Sequence, residues 1–200
     1  MKRLLLIASS ALFVACLARC EQQSHERICE DTPGAAPVVD TEVMAFLSKA
    51  RALHHEANVK EATNDIAGAI ASLETLVGSP VPRPGATIPE VEEVLADTYA
   101  RIADLKLEQG DVDGAAKDVD AGLAHSPGTS YFHGHLLEVQ GIVEEQRATH
   151  LADGGKSEEA AKARAHAVQL LRQAVDMQDQ VIKNATSRDG ALSPKNGAKP

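Results

Sequence analysis

The chain is predicted to be all-α, on three observations. Aromatic residues make up 2% of its 200 residues and Trp is absent, so a core must be built from Ala, Leu, Val and Ile. Side chains of that size suit close helix–helix packing better than a sandwich or barrel. Sustained period-two runs of Val, Ile, Thr and Tyr, the mark of strands, do not occur. Apolar residues recur instead at spacings of three and four, between Gly, Pro, Asn and Asp breakers. The expected architecture is about six helices stacked as antiparallel hairpins, with a long C-terminal helix. The clearest hairpin is Ala96–Thr129, in which Tyr99, Ile102 and Leu105 precede the break at Gly110-Asp111, and Ala115, Val119, Gly122 and Leu123 follow it.

Residues 1–20 read as a signal segment. Lys2-Arg3 is the positive n-region, and Leu4–Val14 is an apolar run too short for a permanent membrane span. The run leads to Phe13-Val14-Ala15-Cys16 and then to Leu17-Ala18-Arg19-Cys20. This resembles a bacterial lipoprotein signal, in which a small-residue tripeptide precedes a lipid-bearing Cys. Cys16 is the better candidate for lipidation, because Arg19 would put a charge beside the scissile bond; Cys20 is the alternative. Cleavage near Ala18 would instead release a periplasmic or secreted soluble protein. With Cys16 lipidated, Cys20 and Cys29 are left to pair in an oxidising compartment. Residues 21–40, polar and then rich in Pro, Gly and Ala, read as a flexible tether.

The helical domain is expected over residues 41–185. Asp40-Thr41 can cap the first helix, in which Met44, Leu47, Ala50, Leu53 and Ala57 share a face. Asn64-Asp65 offers a break and a new cap for the second, with Ile66, Ala69, Ile70, Leu73, Leu76 and Val77 inward and Gly78 at its end. The Pro-rich run 79–88 interrupts the helical pattern. Thr87 and Glu90 form a capping-box pattern for a third helix that reaches Gln109. The fourth runs from Asp111 to about His125, where Ser126-Pro127-Gly128 makes a turn. The fifth, from about Ser130 to Asp153, carries Phe132, Leu136, Val139, Val143 and Gln146 on one face, and Gly154-Gly155 ends it. Ser157 is the expected cap of the sixth, which reaches about Ala185. There Ala160, Ala163, Ala167, Leu170, Ala174, Met177 and Val181 make a coiled-coil-like seam, with Val168, Leu171, Val175 and Ile182 beside it. That seam is expected to pack on the fifth helix, and self-association through 160–182 is the competing use. Residues 186–200 read as a disordered tail.

An internal repeat is visible in three segments: from Asn64, from Gly110 and from Gly155. Each opens with a breaker and a polar cap and reaches Ala five residues on, at Ala69, Ala115 and Ala160. The pattern resembles the tetratricopeptide repeat (TPR), a helix–turn–helix unit of about 34 residues. In the copy at 96–129 the matching residues are Tyr99, Ile102, Ala103, Gly110-Asp111, Ala115, Val119, Gly122, Leu123 and Pro127. A first copy at about 50–83 matches through Leu53, Ala57, Ala69, Leu73 and Leu76. A third has a first helix longer than the unit allows.

The resemblance implies a short right-handed array in which the first helix of each hairpin lines a concave surface. It places Arg51, His54, Asn58 and Glu61 in that groove from the first copy, Asp97, Asp104, Leu107 and Glu108 from the second, and Tyr131 and Glu138 from the third. Such a mixed-to-acidic groove suits an extended peptide of basic character.

Function classes narrow by exclusion. A formal charge of −9 disfavours nucleic acid, which requires clustered Lys and Arg. No Gly-x-Ser-x-Gly, phosphate loop or dinucleotide fingerprint occurs, so neither an enzyme nor a nucleotide cofactor is expected. The histidines His54-His55, His125, His133, His135 and His150 lack metal-ligand spacing, and no metal is expected. The reading is a non-enzymatic cell-envelope lipoprotein, membrane-anchored by its lipid, whose helical domain is a scaffold or adaptor for another protein. The alternative is a secreted or periplasmic helical protein binding a ligand or metal between its long last two helices.

Overall fold

The structure, a computed structural model, describes residues 40–192, with side chains to 187. The residues up to 39 expected to form a signal segment and a tether lie outside the described residues, as do the three cysteines and the tail beyond 192; residue 40, the last of the expected tether, instead caps the first helix. The described chain is all-helical: α1 (Thr41–Ala62), α2 (Ile66–Val77), α3 (Pro89–Glu108), α4 (Val112–His125), α5 (Tyr131–Asp153) and α6 (Ser157–Leu192). The last helix therefore continues past the expected boundary near Ala185, through residues assigned from sequence to a tail.

The helices pair as antiparallel hairpins, α1 with α2, α3 with α4 and α5 with α6. All three hairpins turn by the same device. Asn64, Gly110 and Gly155 take φ of 63°, 79° and 77°. The amide after each donates back across the helix end, Asp65 to the Lys60 carbonyl at 2.8 Å, Asp111 to Lys106 at 2.9 Å and Lys156 to Leu151 at 2.9 Å. The amides of Asn64, Gly110 and Gly155 close the inner bond, to Glu61, Leu107 and Ala152. This is the Schellman arrangement three times over, and it satisfies carbonyls that a helix end otherwise leaves open. The next helix starts at once, because Asp65 and Asp111 accept from the Gly68 and Gly114 amides, each at 2.9 Å.

Two other caps fall where the sequence places them. Asp40 accepts from Glu42 and Val43, and Ser130 accepts from His133. The Thr87–Glu90 capping box does not form. Ile88 is the N-cap, no side chain caps the helix, and Pro89 holds the first helical position. A proline there has φ preset and no N–H to satisfy, so α3 starts one residue later than a Thr87 cap requires. Ser157 is likewise the first helical residue of α6, and the carbonyl of Lys156 takes the first intrahelical bond, from Ala160.

Among the described residues, α3 contributes to three apolar clusters. Val91 and Leu95 of α3 pack with Phe46, Ala50 and Leu76; Ile102 and Leu105 pack with Ala57, Ala69, Ile70 and Leu73. Ala96, Ala100, Ala103 and Leu107 face the other way, against Val112, Ala115, Val119, Leu136, Val139 and Val143. On α1 the expected face is rotated: Phe46 is buried and Met44 is 52% exposed. Leu107, expected in the groove, is a core residue. It lies four positions after Ala103, so it continues the small-residue face that packs on α4 and α5. Lys106 fastens the same helix to both neighbours, through Asp118 at 2.7 Å on α4 and Glu74 at 3.4 Å on α2. Burial works against its charge, but these two carboxylates outweigh it and hold its pKa above the ordinary lysine value.

α4 packs tightly on α5 and α3 at Gly122. A Cβ there would lie 2.6 Å from Leu136 Cδ2 and 3.0 Å from Tyr99 Cβ, and Leu136 is fully buried. Gly122→Ala is expected to lower unfolding stability by roughly 1–2 kcal/mol, the overpacking cost exceeding the helix-propensity gain. Gly110→Ala meets nothing within 4 Å. It should cost about 1–2 kcal/mol through left-handed backbone alone. Urea titrations of both variants measure the two effects, and an undiminished midpoint for Gly110→Ala would contradict the turn geometry.

Candidate functional site

The first helices of the three hairpins, α1, α3 and α5, present a shared polar face. Its spine is the third stripe of α3: Asp97, Arg101, Asp104 and Glu108, at spacings of four, three and four. The two apolar faces of α3 are committed to packing, so this stripe is what α3 has left to show.

From α1, the His54 ring lies 2.9 Å from the Thr98 hydroxyl, which itself donates to the Val94 carbonyl at 2.6 Å. Burial lowers the His54 pKa, with Asp97 opposing that shift and Arg101 adding to it. The neutral form is therefore held in the fold. Because the unfolded chain takes up that proton first, stability is lost as pH falls below about 6.5. One turn on, the Arg101 guanidinium reaches both Glu61 and Asn58 of α1.

From α5, His135 and Glu138 complete the face. Their side chains are 3.7 Å apart, and the His135 ring stacks with Tyr131 at 6.1 Å. Both act on Asp104. Its pKa is raised, chiefly by burial; His135 and Arg101 pull it down, whereas Glu138 and Glu108 push it further up. The carboxylate at the middle of the face thus carries a penalty for its charge that His135 and Arg101 offset only in part.

Of the residues expected in the groove, His54, Asn58, Glu61, Asp97, Asp104, Glu108 and Glu138 come together here. Tyr131 joins them at the edge through His135 and is 54% exposed. Arg51 is exposed on α1 and makes no side-chain hydrogen bond or ion pair among the described residues. Leu107 is absent from the face, as its place in the core requires. Sequence reasoning missed Thr98 and Arg101. Arg101 could have been found from its place between Asp97 and Asp104 on one helical face.

Two further regions bear on ligand binding. A shallow open cleft of about 360 Å³ lies between the start of α3 and the 126–130 turn, where His125 Nδ1 meets Glu92 at 2.6 Å and its ring stacks on Tyr99. Between α5 and α6 the seam is filled: a Cβ on Gly141 would come 2.9 Å from Leu171 and 3.3 Å from the Ala167 carbonyl oxygen. Among the described residues no three His, Cys, Asp or Glu side chains converge as a metal-binding set. No described helix is long and apolar enough to cross a membrane.

No protein-family model matches the chain, and comparison with curated proteins finds no significant relative.

Asp104→Asn should raise the melting temperature at pH 7. A carboxyl whose pKa is raised in the folded state costs stability above its ordinary pKa, and the cost disappears once both states are protonated. The advantage of the variant should therefore shrink as pH falls towards the ordinary Asp value of 3.8. Thermal melts across pH 4–7 read this directly, and an advantage that grows on acidification would overturn the assignment.

Proposed function

We propose that the protein is a cell-envelope lipoprotein whose TPR-like array of three hairpins acts as a scaffold or adaptor, binding an extended basic segment of another protein along the α1–α3–α5 face. The observation that carries this reading is Asp104, a carboxylate raised by burial and crowded by Glu108 and Glu138. A Lys or Arg side chain laid beside it would offset that penalty, whereas a further carboxylate would add to it. Glu61, Asp97, Asp104, Glu108 and Glu138 on the face outnumber Arg51 and Arg101, so the field favours the same class of partner. The TPR-like part of the reading is supported by the repeated turns at Asn64, Gly110 and Gly155 with their identical hydrogen bonds. The lipoprotein part is supported by the apolar run that leads to Cys16, with Cys20 as the second candidate. No step of chemistry is assigned: Thr98, the hydroxyl beside the His54 imidazole, is fully buried and donates its proton to the Val94 carbonyl.

A photo-cross-linking residue at Glu108, exposed at the end of the stripe, should capture a reproducible protein partner in cells. With the photo-cross-linking residue placed instead at Tyr131, 54% exposed at the edge of the face, neutralising the face by Asp97→Asn, Asp104→Asn and Glu108→Gln should abolish capture while the helical circular dichroism is kept. An unchanged set of captured proteins in the neutralised chain would remove the groove. Intact mass of the mature N-terminus should show a diacylglyceryl-modified Cys16; an unmodified start near Arg19 would remove the anchor and leave the groove to be judged separately.

A further inference from the structure

α6 is built to pack on two sides, and the rest of the chain covers one. The seam Ala160, Ala163, Ala167, Leu170 and Ala174 is buried against α5. It is therefore not free to join two copies. Advancing each position by one residue gives a second stripe: Arg164, Val168, Leu171, Val175, Gln178, Ile182 and Ala185, again spaced four and three over three heptads. Val168, Val175 and Ile182 are 48%, 62% and 59% exposed. α6 makes its helix contacts with α5, so no other helix covers this face among the described residues. β-branched Val168, Val175 and Ile182 hold one heptad position throughout, as in a helix that pairs with a second helix; the other is held by Arg164, Leu171, Gln178 and Ala185, of which Leu171 and Gln178 also reach α5, at Gly141 and at Gly134. Three shallow hollows follow the stripe, of about 380, 300 and 290 Å³. The first is lined by α6 alone, and the other two lie where the stripe borders α5, at Glu138 and at Glu145 and Thr149.

We propose that this stripe pairs antiparallel with the same stripe of a second copy, forming an α5–α6 four-helix dimer about a two-fold axis. The charges select the second copy and its direction. With Leu171 opposite the partner's Ile182, Arg172 lies on the same flank as the partner's Asp179. Their axial offset is about two residues, roughly 3 Å, within reach of a guanidinium. The two-fold repeats the pair as Asp179 with the partner's Arg172. Neither side chain makes an ion pair within its own chain among the described residues. A parallel pairing would align Arg172 with positions that are already buried against α5 and carry no charge. Sliding the antiparallel pairing one heptad, so that Leu171 meets Val175, sets Arg172 against its own copy.

Sedimentation equilibrium on the processed full chain tests the dimer. The wild-type chain should dissociate reversibly with dilution. Val175→Glu should be monomeric with unchanged helicity, since the position is exposed. Arg172→Glu should weaken the dimer by about tenfold or more, and adding Asp179→Arg to it should restore wild-type association, because the reversed pair is again complementary. A wild-type chain that is monomeric throughout, or is monomeric alone and binds another protein through Val175, would overturn the proposal. A dimer indifferent to the charge reversal would overturn the antiparallel register.

Discussion

The structure depends on α3 being buried from two directions at once. Its large side chains, Val91, Leu95, Ile102 and Leu105, fill the space beneath the first hairpin. Its small ones, Ala96, Ala100 and Ala103, let α4 and α5 come close. Ridges of alanine shorten the distance between helix axes, and Gly122 shortens it further. Each fully buried Leu or Ile contributes roughly 1.5–3 kcal/mol, so α3 carries a large share of the stability of the hairpins it joins. A helix used on two faces has one face left over. That residual face is the polar stripe from Asp97 to Glu108, and its direction follows from where the core lies.

The same constraint explains why charge collects there. Asp104 cannot move away from Glu108 and Glu138 without rotating α3, and rotation would expose Leu105 or Leu107. Packing of the core therefore holds carboxylates at a separation that solvent alone would relax. Arg101 offsets part of this by tying α3 to Glu61 and Asn58 of α1. Two hairpins are thereby joined across their polar as well as their apolar faces.

Much of this was legible in the sequence, and the exceptions share a cause. Caps at Asp40, Asp65, Asp111 and Ser130 and breaks at Asn64, Gly110 and Gly155 are local, fixed by backbone hydrogen bonds within a few residues. They can be read in one dimension. The face of α1 cannot, because Met44-Leu47-Ala50 and Phe46-Ala50-Leu53 are both valid helical stripes, and only contact with Leu76, Val91 and Leu95 chooses the second. Leu107 failed for the same reason: a resemblance assigned it to the groove, whereas its spacing from Ala100 and Ala103 assigned it to the core. Thr87 failed to a local competitor, since Pro89 starts a helix without a side-chain cap. Seven of the ten groove residues come together on one face because that face is the complement of the α3 core.

α3 and α6 make an instructive pair. Both carry two apolar stripes, and both are flanked by charge. In α3 the second stripe is covered by the neighbouring hairpins, and its large side chains fall to a few per cent exposure. In α6 the second stripe keeps Val175 and Ile182 more than half exposed, because no hairpin follows it among the described residues. A repeat unit cannot bury both of its faces alone, and the end of an array is where that deficit appears. The first hairpin meets the deficit with side chains spread along α1, where Met44 and Val59 are exposed but far apart in sequence. The last hairpin concentrates it in a continuous heptad line, a form that solvent does not favour and a second helix does. Glu138 stands at the border, acting on Asp104 through its charge and lining a hollow with Leu171 and Val175. Covering α6 would remove water from one side of Glu138 and so strengthen the field that it and Asp104 present along the groove.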